Sequence, residues 1–424
     1  MISVISVNVK EEVLKKRSRQ RLRLGNPEVA KKVSEIIAGV TARGLTALLS
    51  YIQEHDGFAI NADQLWVTAA EIDRAHAQTR PEDLVALRMA IKLISAYHAR
   101  QLPQGWESGV LGSSTVGWRY NPIDRVGIYV PGGRAIYPSS LLMNVIPARL
   151  AGVAELVVAT PPAPDGSIHP FLLATLKELG IPTALKAGGA HAVAALAFGF
   201  HGFAPVDKIV GPGNAWVTEA KKQVFGVVAI DKLAGPSDVT VLADHSADPQ
   251  RVAQELLAQA EHDPDSEVFL VTTEPALPPK VFAVLAAELE TLPRADIIRQ
   301  VFRQSAVFVV SNMNEAYETI NALAPEHLQL QVASPRDAFF HIRHAGAIFL
   351  GHSSPVALGD YIIGPNHVLP TSGTARYASP LSVLDFVKGS SLINVSATDL
   401  KAIAPEVQRL ARLEGLEAHA RSVS

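Results

Sequence analysis

The chain has 424 residues, 48% hydrophobic and 19% charged, a globular balance that excludes a disordered or fibrous protein. Its 38 basic and 41 acidic residues give a net charge of −3, which excludes an overall basic nucleic-acid binder. Cysteine is absent, so disulfides, thiolate nucleophiles and sulfur-ligated metals are excluded, and any metal must be held by nitrogen and oxygen.

In chain order, residues 1–8 lack the basic and apolar stretches of a signal peptide. The most apolar window, 192–200, is about half of the ~18 residues a membrane span needs. The expectation is a soluble, cytoplasmic protein. Residues 10–23 are rich in Lys and Arg and predict a solvated terminal helix. Apolar residues at helical spacing predict a helix over 27–56 (Val33, Ile36, Ile37, Val40, Leu45, Leu48, Leu49) and another over 81–100 (Leu84, Leu87, Ile91, Ile94).

From about residue 125, short apolar runs alternate with helical ones. The first series predicts strands at 126–130, 156–159, 208–210 and 227–230, with helices at 141–151, 170–179, 191–198 and 215–224. A second series predicts strands at 239–243, 268–272, 306–310 and 347–350. Its helices fall at 249–262, 279–291, 315–323 and 335–344. Buried strands interleaved with helices predict parallel sheets covered on both faces. The expected fold class is therefore α/β: two Rossmann-like parallel-sheet domains with small helical N- and C-terminal units. We assign 1–25 to an N-terminal helical segment, 26–124 with 238–380 to one α/β domain, and 125–237 to the other. Residues 381–424 form a C-terminal helical unit ending in a helix at 410–423.

Gly and Pro cluster where strands should end, at Pro131-Gly132-Gly133, Gly188-Gly189, Gly211-Pro212-Gly213-Asn214 and Gly235-Pro236-Ser237. Such loops are plain turns or let backbone approach a phosphate-bearing ligand. No G-x-G-x-x-G follows any of these strands, so the pattern does not name a dinucleotide.

Gln259 and His262 lie three apart near the end of the helix predicted at 249–262. A pair at that spacing either presents two donors to one ion or is a surface amide and a His⁺ at a helix C-terminus. Glu326 and His327 are adjacent after a helix, and an imidazole titrating near neutrality suits repeated proton transfer. The loop 359–367 carries Asp360, Asn366 and His367 amid Gly and Pro. Glu414 and His419, five apart, would point about 140° from each other on a regular helix, so they serve different neighbours.

Together these segments resemble the histidinol dehydrogenase family. The runs that carry the resemblance are RVGIYVPGG (125–133), YPSSLLMNVIPARLA (137–151), VDKIVGPGN (206–214) and IDKLAGPS (230–237). They continue as LAQAEHDPDS (257–266), APEHL (324–328), AGAIFLG (345–351), GDYIIGPNHVLPTSGTAR (359–376) and EGLEAHARSV (414–423). The resemblance implies oxidation of L-histidinol through the aldehyde to L-histidine with two NAD⁺, the last step of histidine biosynthesis. It implies zinc held by Gln259, His262, Asp360 and His419, with His327 as the general base and Glu326 activating water. Substrate contacts then fall on Ser237, Glu414 and His367 beside the zinc ligands and His327, and cofactor contacts on Tyr129, His191 and Asn214. The resemblance also implies a homodimer whose C-terminal unit, with Glu414 and His419, completes the partner's site. Two positions depart from the family's usual pattern: His191 stands where Gln is usual, and Asp238 where Glu is commoner. Two other readings compete, a relative that oxidises a different small alcohol and a non-catalytic binding protein. Retention of Glu326, His327, His367 and Glu414 argues against both.

Overall fold

The computed structural model describes residues 3–5, 26–132 and 136–424. The helix expected at 10–23 lies outside them. The N-terminal segment expected to be helical contains a strand, β1 (Ser3–Ile5). The chain then forms helices Pro27–Arg43, Leu45–Tyr51, Ala69–Gln78 and Pro81–His98, followed by β2 (Trp106–Leu111) and β3 (Ser114–Pro122). Next come β4 (Arg125–Tyr129), β5 (Glu155–Thr160), β6 (Ala184–Lys186), β7 (Lys208–Val210) and β8 (Ala229–Ile230). A second series runs β9 (Asp238–Ala243), β10 (Glu267–Thr272), β11 (Ala306–Val309), β12 (His327–Gln331) and β13 (Ala347–Leu350). The chain closes with β14 (Val387–Asn394) and helices Ala397–Leu413 and Glu417–Arg421.

Both series make parallel sheets of the same winding. The first has the order β6-β5-β4-β7-β8 and the second β1-β11-β10-β9-β12-β13. In each, the chain starts in the middle, winds outward, then crosses to the other side. The second sheet carries β1 as an added edge strand.

Helix starts follow local chemistry. Asn26 accepts from Glu28 N and Pro27 sits in the first turn; Asp248 and Pro249 do the same for Pro249–Ala260. The helix predicted over 27–56 breaks at Gly44 (φ 54°, ψ −128°) and ends in a π-helical turn, Ile52–Asp56. Among the described residues, no helix is long and apolar enough to cross a membrane.

Packing corrects the domain division. Val33, Ile36, Leu48 and Ile52 share a core with Val157, Ala159 and Leu185, while Ile72, Leu87 and Ile94 share another with Val126 and Ile128. The helices between residues 27 and 98 therefore cover the 125–230 sheet and not the 238–350 sheet, because their apolar stripes meet its two faces. Val368, Leu381 and Phe386 join the same core. The C-terminal unit is not wholly helical either: β14 pairs antiparallel with β3, which pairs with β2. Asp399 fixes the following helix to the β2–β3 turn by accepting from Ser113 N (3.0 Å) and Ser114 Oγ (2.7 Å).

One buttress of the first lobe is electrostatic. Glu178 pairs with Arg88 (2.7 Å) and His76 (2.7 Å), joining three helices. The Arg88 guanidinium above all holds the Glu178 carboxyl down at about 2. A carboxyl depressed in the folded state adds stability above its ordinary value and loses it as pH falls through the folded one. Stability is thus expected to drop between about pH 4.5 and pH 2, and Glu178→Gln to flatten that limb; urea midpoints across this range check it.

Candidate active site

A cleft of 2140 Å³ is lined by residues from both sheets. From the first sheet come Tyr129, at the carboxyl end of β4, and the Gly211–Asn214 loop, which follows β7. From the second come Ser237, just before β9, and Glu326 and His327, at the amino end of β12. Helices that return beside the strands bring Gln259, His262 and Asp360 to the same edge. The cleft therefore joins the carboxyl edge of one sheet to the amino edge of the other.

Ala324 ends helix Met313–Leu323 in the left-handed region (φ 48°, ψ 63°), uncommon for a residue with a Cβ, and turns the chain into β12. The next residues are locked to β9: Asp238 N donates to Glu326 Oε2 (3.0 Å) and Glu326 N donates to Asp238 Oδ1 (3.1 Å). Asp238 thus clamps Glu326 through both main chain and side chain. The shorter acid at 238 is accommodated by this reciprocal pair.

His327 is 5% exposed and bonds through Nδ1 to the Asp238 carbonyl (3.2 Å). Its Nε2 is buried without a hydrogen-bond partner, 3.6 Å from Asp360 Oδ1, too far for a hydrogen bond. Burial opposes a charged imidazole here, but Glu326 and Asp360 outweigh it and raise His327 to about 9. Burial likewise lifts Glu326 to about 7, against the pull of His327. A cation held by Asp360 would cancel that carboxylate's effect and free the imidazole to accept a proton.

The metal expectation meets a donor set of the right chemistry. Gln259 is 4% exposed and lines the cleft. Asp360 feels the charges of His327, His367 and His262, so these side chains share one electrostatic neighbourhood. His367 bonds through Nδ1 to the Asp360 carbonyl (2.8 Å), which leaves Nε2 for the cleft. Among the described residues, no three His, Asp or Glu side chains form a metal-holding group. This chain brings His262 and Asp360 with the Gln259 amide, a fitting but incomplete nitrogen and oxygen set. His262 itself lies outside the helix, which ends at Ala260 because Asp263-Pro264 disfavours helical backbone there.

Other expected residues are placed elsewhere. Glu414 caps the end of Ala397–Leu413 and His419 lies in the separate helix Glu417–Arg421; both are exposed and neither lines the cleft. His191 does not line it either. It is 1% exposed and bonds through Nε2 to Asp56 Oδ2 (2.9 Å), which also accepts from Gly188 N (3.0 Å). Tyr129 lines the cleft, but its hydroxyl accepts from Gly189 N (3.1 Å), and burial pushes its pKa up to about 12. Asn214 Oδ1 caps the following helix through Trp216 N and Val217 N. Gly211 (φ 116°) lets that loop pass the Tyr129 carbonyl, where a side chain would collide.

Sequence reasoning missed Asp56, whose partners lie 132 and 135 residues away. It also missed Lys232, which donates to the Val368 (2.9 Å) and Ser379 (2.8 Å) carbonyls and holds the cleft's far wall. The run IDKLAGPS contains that lysine and was the available signal.

Two reversing parallel sheets, a cleft between them and a buried Glu–His pair beside further oxygen and nitrogen donors define an enzyme of proton-coupled chemistry on a Rossmann-like frame. The family model for histidinol dehydrogenase matches residues 19–424. The chain is 48% identical over 392 residues to a histidinol dehydrogenase of Synechococcus sp., covering 92% of this chain and 90% of the relative. Against that of Bacillus subtilis it is 48% identical over 400 residues, with 94% and 93% coverage. The crystal structure of histidinol dehydrogenase from Elizabethkingia anophelis superposes with a TM-score of 0.94 at 34% identity, covering 100% of this chain and 97% of that one. The chain belongs to the histidinol dehydrogenase family.

Proposed function

We propose that the chain oxidises L-histidinol through the aldehyde to L-histidine in two NAD-linked steps, acting in the cytoplasm as a zinc-dependent homodimer. The observation that carries this reading is the buried His327 Nε2, unpartnered and facing the Asp360 side of a cleft that also holds Gln259, His262 and Glu326.

Gln259, His262 and Asp360 hold zinc together with His419 from a second copy. When bound, zinc supplies Lewis-acid polarisation and a template for the amino alcohol, and NAD supplies the hydride acceptor. Tyr129 and Asn214 line the cofactor side of the cleft. His191 supports the Gly188 turn from beneath. Ser237 and His367 contact the substrate, and Glu414 of the second copy offers an anion to its ammonium group. His327 takes the hydroxyl proton in the first oxidation and the proton of the hydrated aldehyde in the second. Glu326, its pKa raised by burial, takes a proton from the water that hydrates the aldehyde.

Dimerisation has physical support in an uncovered apolar face. Trp106, Val110 and Ile393 on the antiparallel sheet, with Leu410 and Leu413 on the C-terminal helix, are 55%, 61%, 75%, 64% and 77% exposed. Large apolar side chains left this open are the kind of surface a second copy would cover.

The test is an NADH assay with histidinol before chelation, after it, and with zinc restored. The expected result is two NADH per histidine, loss on chelation and recovery with zinc. Absence of turnover, or activity indifferent to chelation, overturns the reading. Glu326→Gln is expected to slow aldehyde oxidation about 10²-fold and aldehyde formation far less. Supplying the aldehyde directly separates the steps, and equal losses remove the water-activating role.

A further inference from the structure

The short helix Val356–Tyr361 carries Asp360 and has no side-chain cap of its own, since its N-cap is Pro355. Its first N–H, on Val356, donates instead to Glu255 Oε2 (3.0 Å) from the neighbouring helix Pro249–Ala260. Glu255 is 7% exposed and lies four residues before Gln259, on the same helical face. One helix thus presents Gln259 and grips the helix that presents Asp360.

The grip is reinforced nearby. Gln329 Nε2, on β12 two residues beyond His327, donates to the Gly351 (3.3 Å) and Ser354 (3.0 Å) carbonyls that lead into the helix. His367 bonds to the Asp360 carbonyl at the other end. The helix lies so close to Phe349 that a Cβ on Gly359 would be 2.7 Å from its ring. A carboxylate at the first N–H of a helix meets both an unpaired donor and the positive end of the helix dipole.

We infer that Glu255 is a positioning residue for the metal site: by capping Val356 it fixes the Asp360 carboxylate relative to Gln259. The inference rests on the zinc assignment proposed above. A carboxylate that orients a ligand without touching the metal typically contributes a factor of about 10–100 to metal affinity.

The test uses full-length protein, with zinc affinity read by competition against a chromophoric chelator and geometry by the visible spectrum of the Co²⁺ form. Glu255→Leu is expected to weaken zinc about tenfold or more and to shift the Co²⁺ bands. Glu255→Gln keeps an acceptor for Val356 N–H and is expected to stay within about threefold of the parent. Val356→Pro removes the donor from the other side at a helix position that tolerates proline, and should weaken zinc as Glu255→Leu does. That variant carries the test if Glu255→Leu does not fold. Parent-like affinity and spectrum in a folded Glu255→Leu or Val356→Pro protein overturn the positioning role alone. A parent protein that takes up no zinc overturns the metal assignment and this role with it.

Discussion

His327→Asn is expected to slow both oxidations by about 10²–10⁴-fold, the usual contribution of a positioned general base. Asn keeps an amide donor for the Asp238 carbonyl that His327 Nδ1 now engages. What it loses is the basic nitrogen at Nε2, the atom that is buried without a partner. Loss of both steps is the expectation if His327 is the base for each, since its Nε2 is buried without a partner and faces Asp360. Single-turnover measurements started from the alcohol and from the aldehyde read the steps separately, with near-UV circular dichroism confirming the fold. A loss confined to one step would assign the other proton to a different group.

Mixing His262→Ala with His419→Ala chains is expected to restore activity from two inactive parents. The structure sets His262 in the cleft and His419 outside it, on an exposed helix beyond an uncovered apolar face. If His419 serves a neighbouring copy, a mixed dimer has one intact site and one doubly damaged site. Random pairing of equal amounts then restores about a quarter of the parental sites. Recovery should follow the fraction of mixed dimers after denaturation and refolding together. Verified mixed dimers without activity would place His419 in its own chain's site or in none.

Much of the fold was legible because strands of the parallel sheets read as short apolar runs. Lys208–Val210, Ala347–Leu350 and the helix Ala215–Val224 have the predicted bounds. β12 was not read, although it carries the Glu–His pair: its sequence His-Leu-Gln-Leu-Gln alternates, yet all five residues are buried. Gln329 spends its amide nitrogen on loop carbonyls, a partner no local pattern announces. The antiparallel sheet was missed because β2 and β14 are largely exposed and their apolar residues face no core of this chain. Gln259, His262, Asp360, Glu326, His327 and Ser237, which fall in separate motif runs, all line the one cleft. His191 does not, because one carboxylate from Asp56 satisfies it in the interior.

The pairing of β14 with β3 has a consequence for how the protein is made. The two strands are separated by roughly 270 residues, so at ribosomal speeds of about 5–20 residues per second β3 waits some 15–50 s for its mate. β1 waits longer still for β11. During that interval the nascent polypeptide carries open ladder edges that invite association with other chains. A chain truncated before Val387 would leave β3 permanently unzipped on one side, making it a substrate for chaperones and proteases.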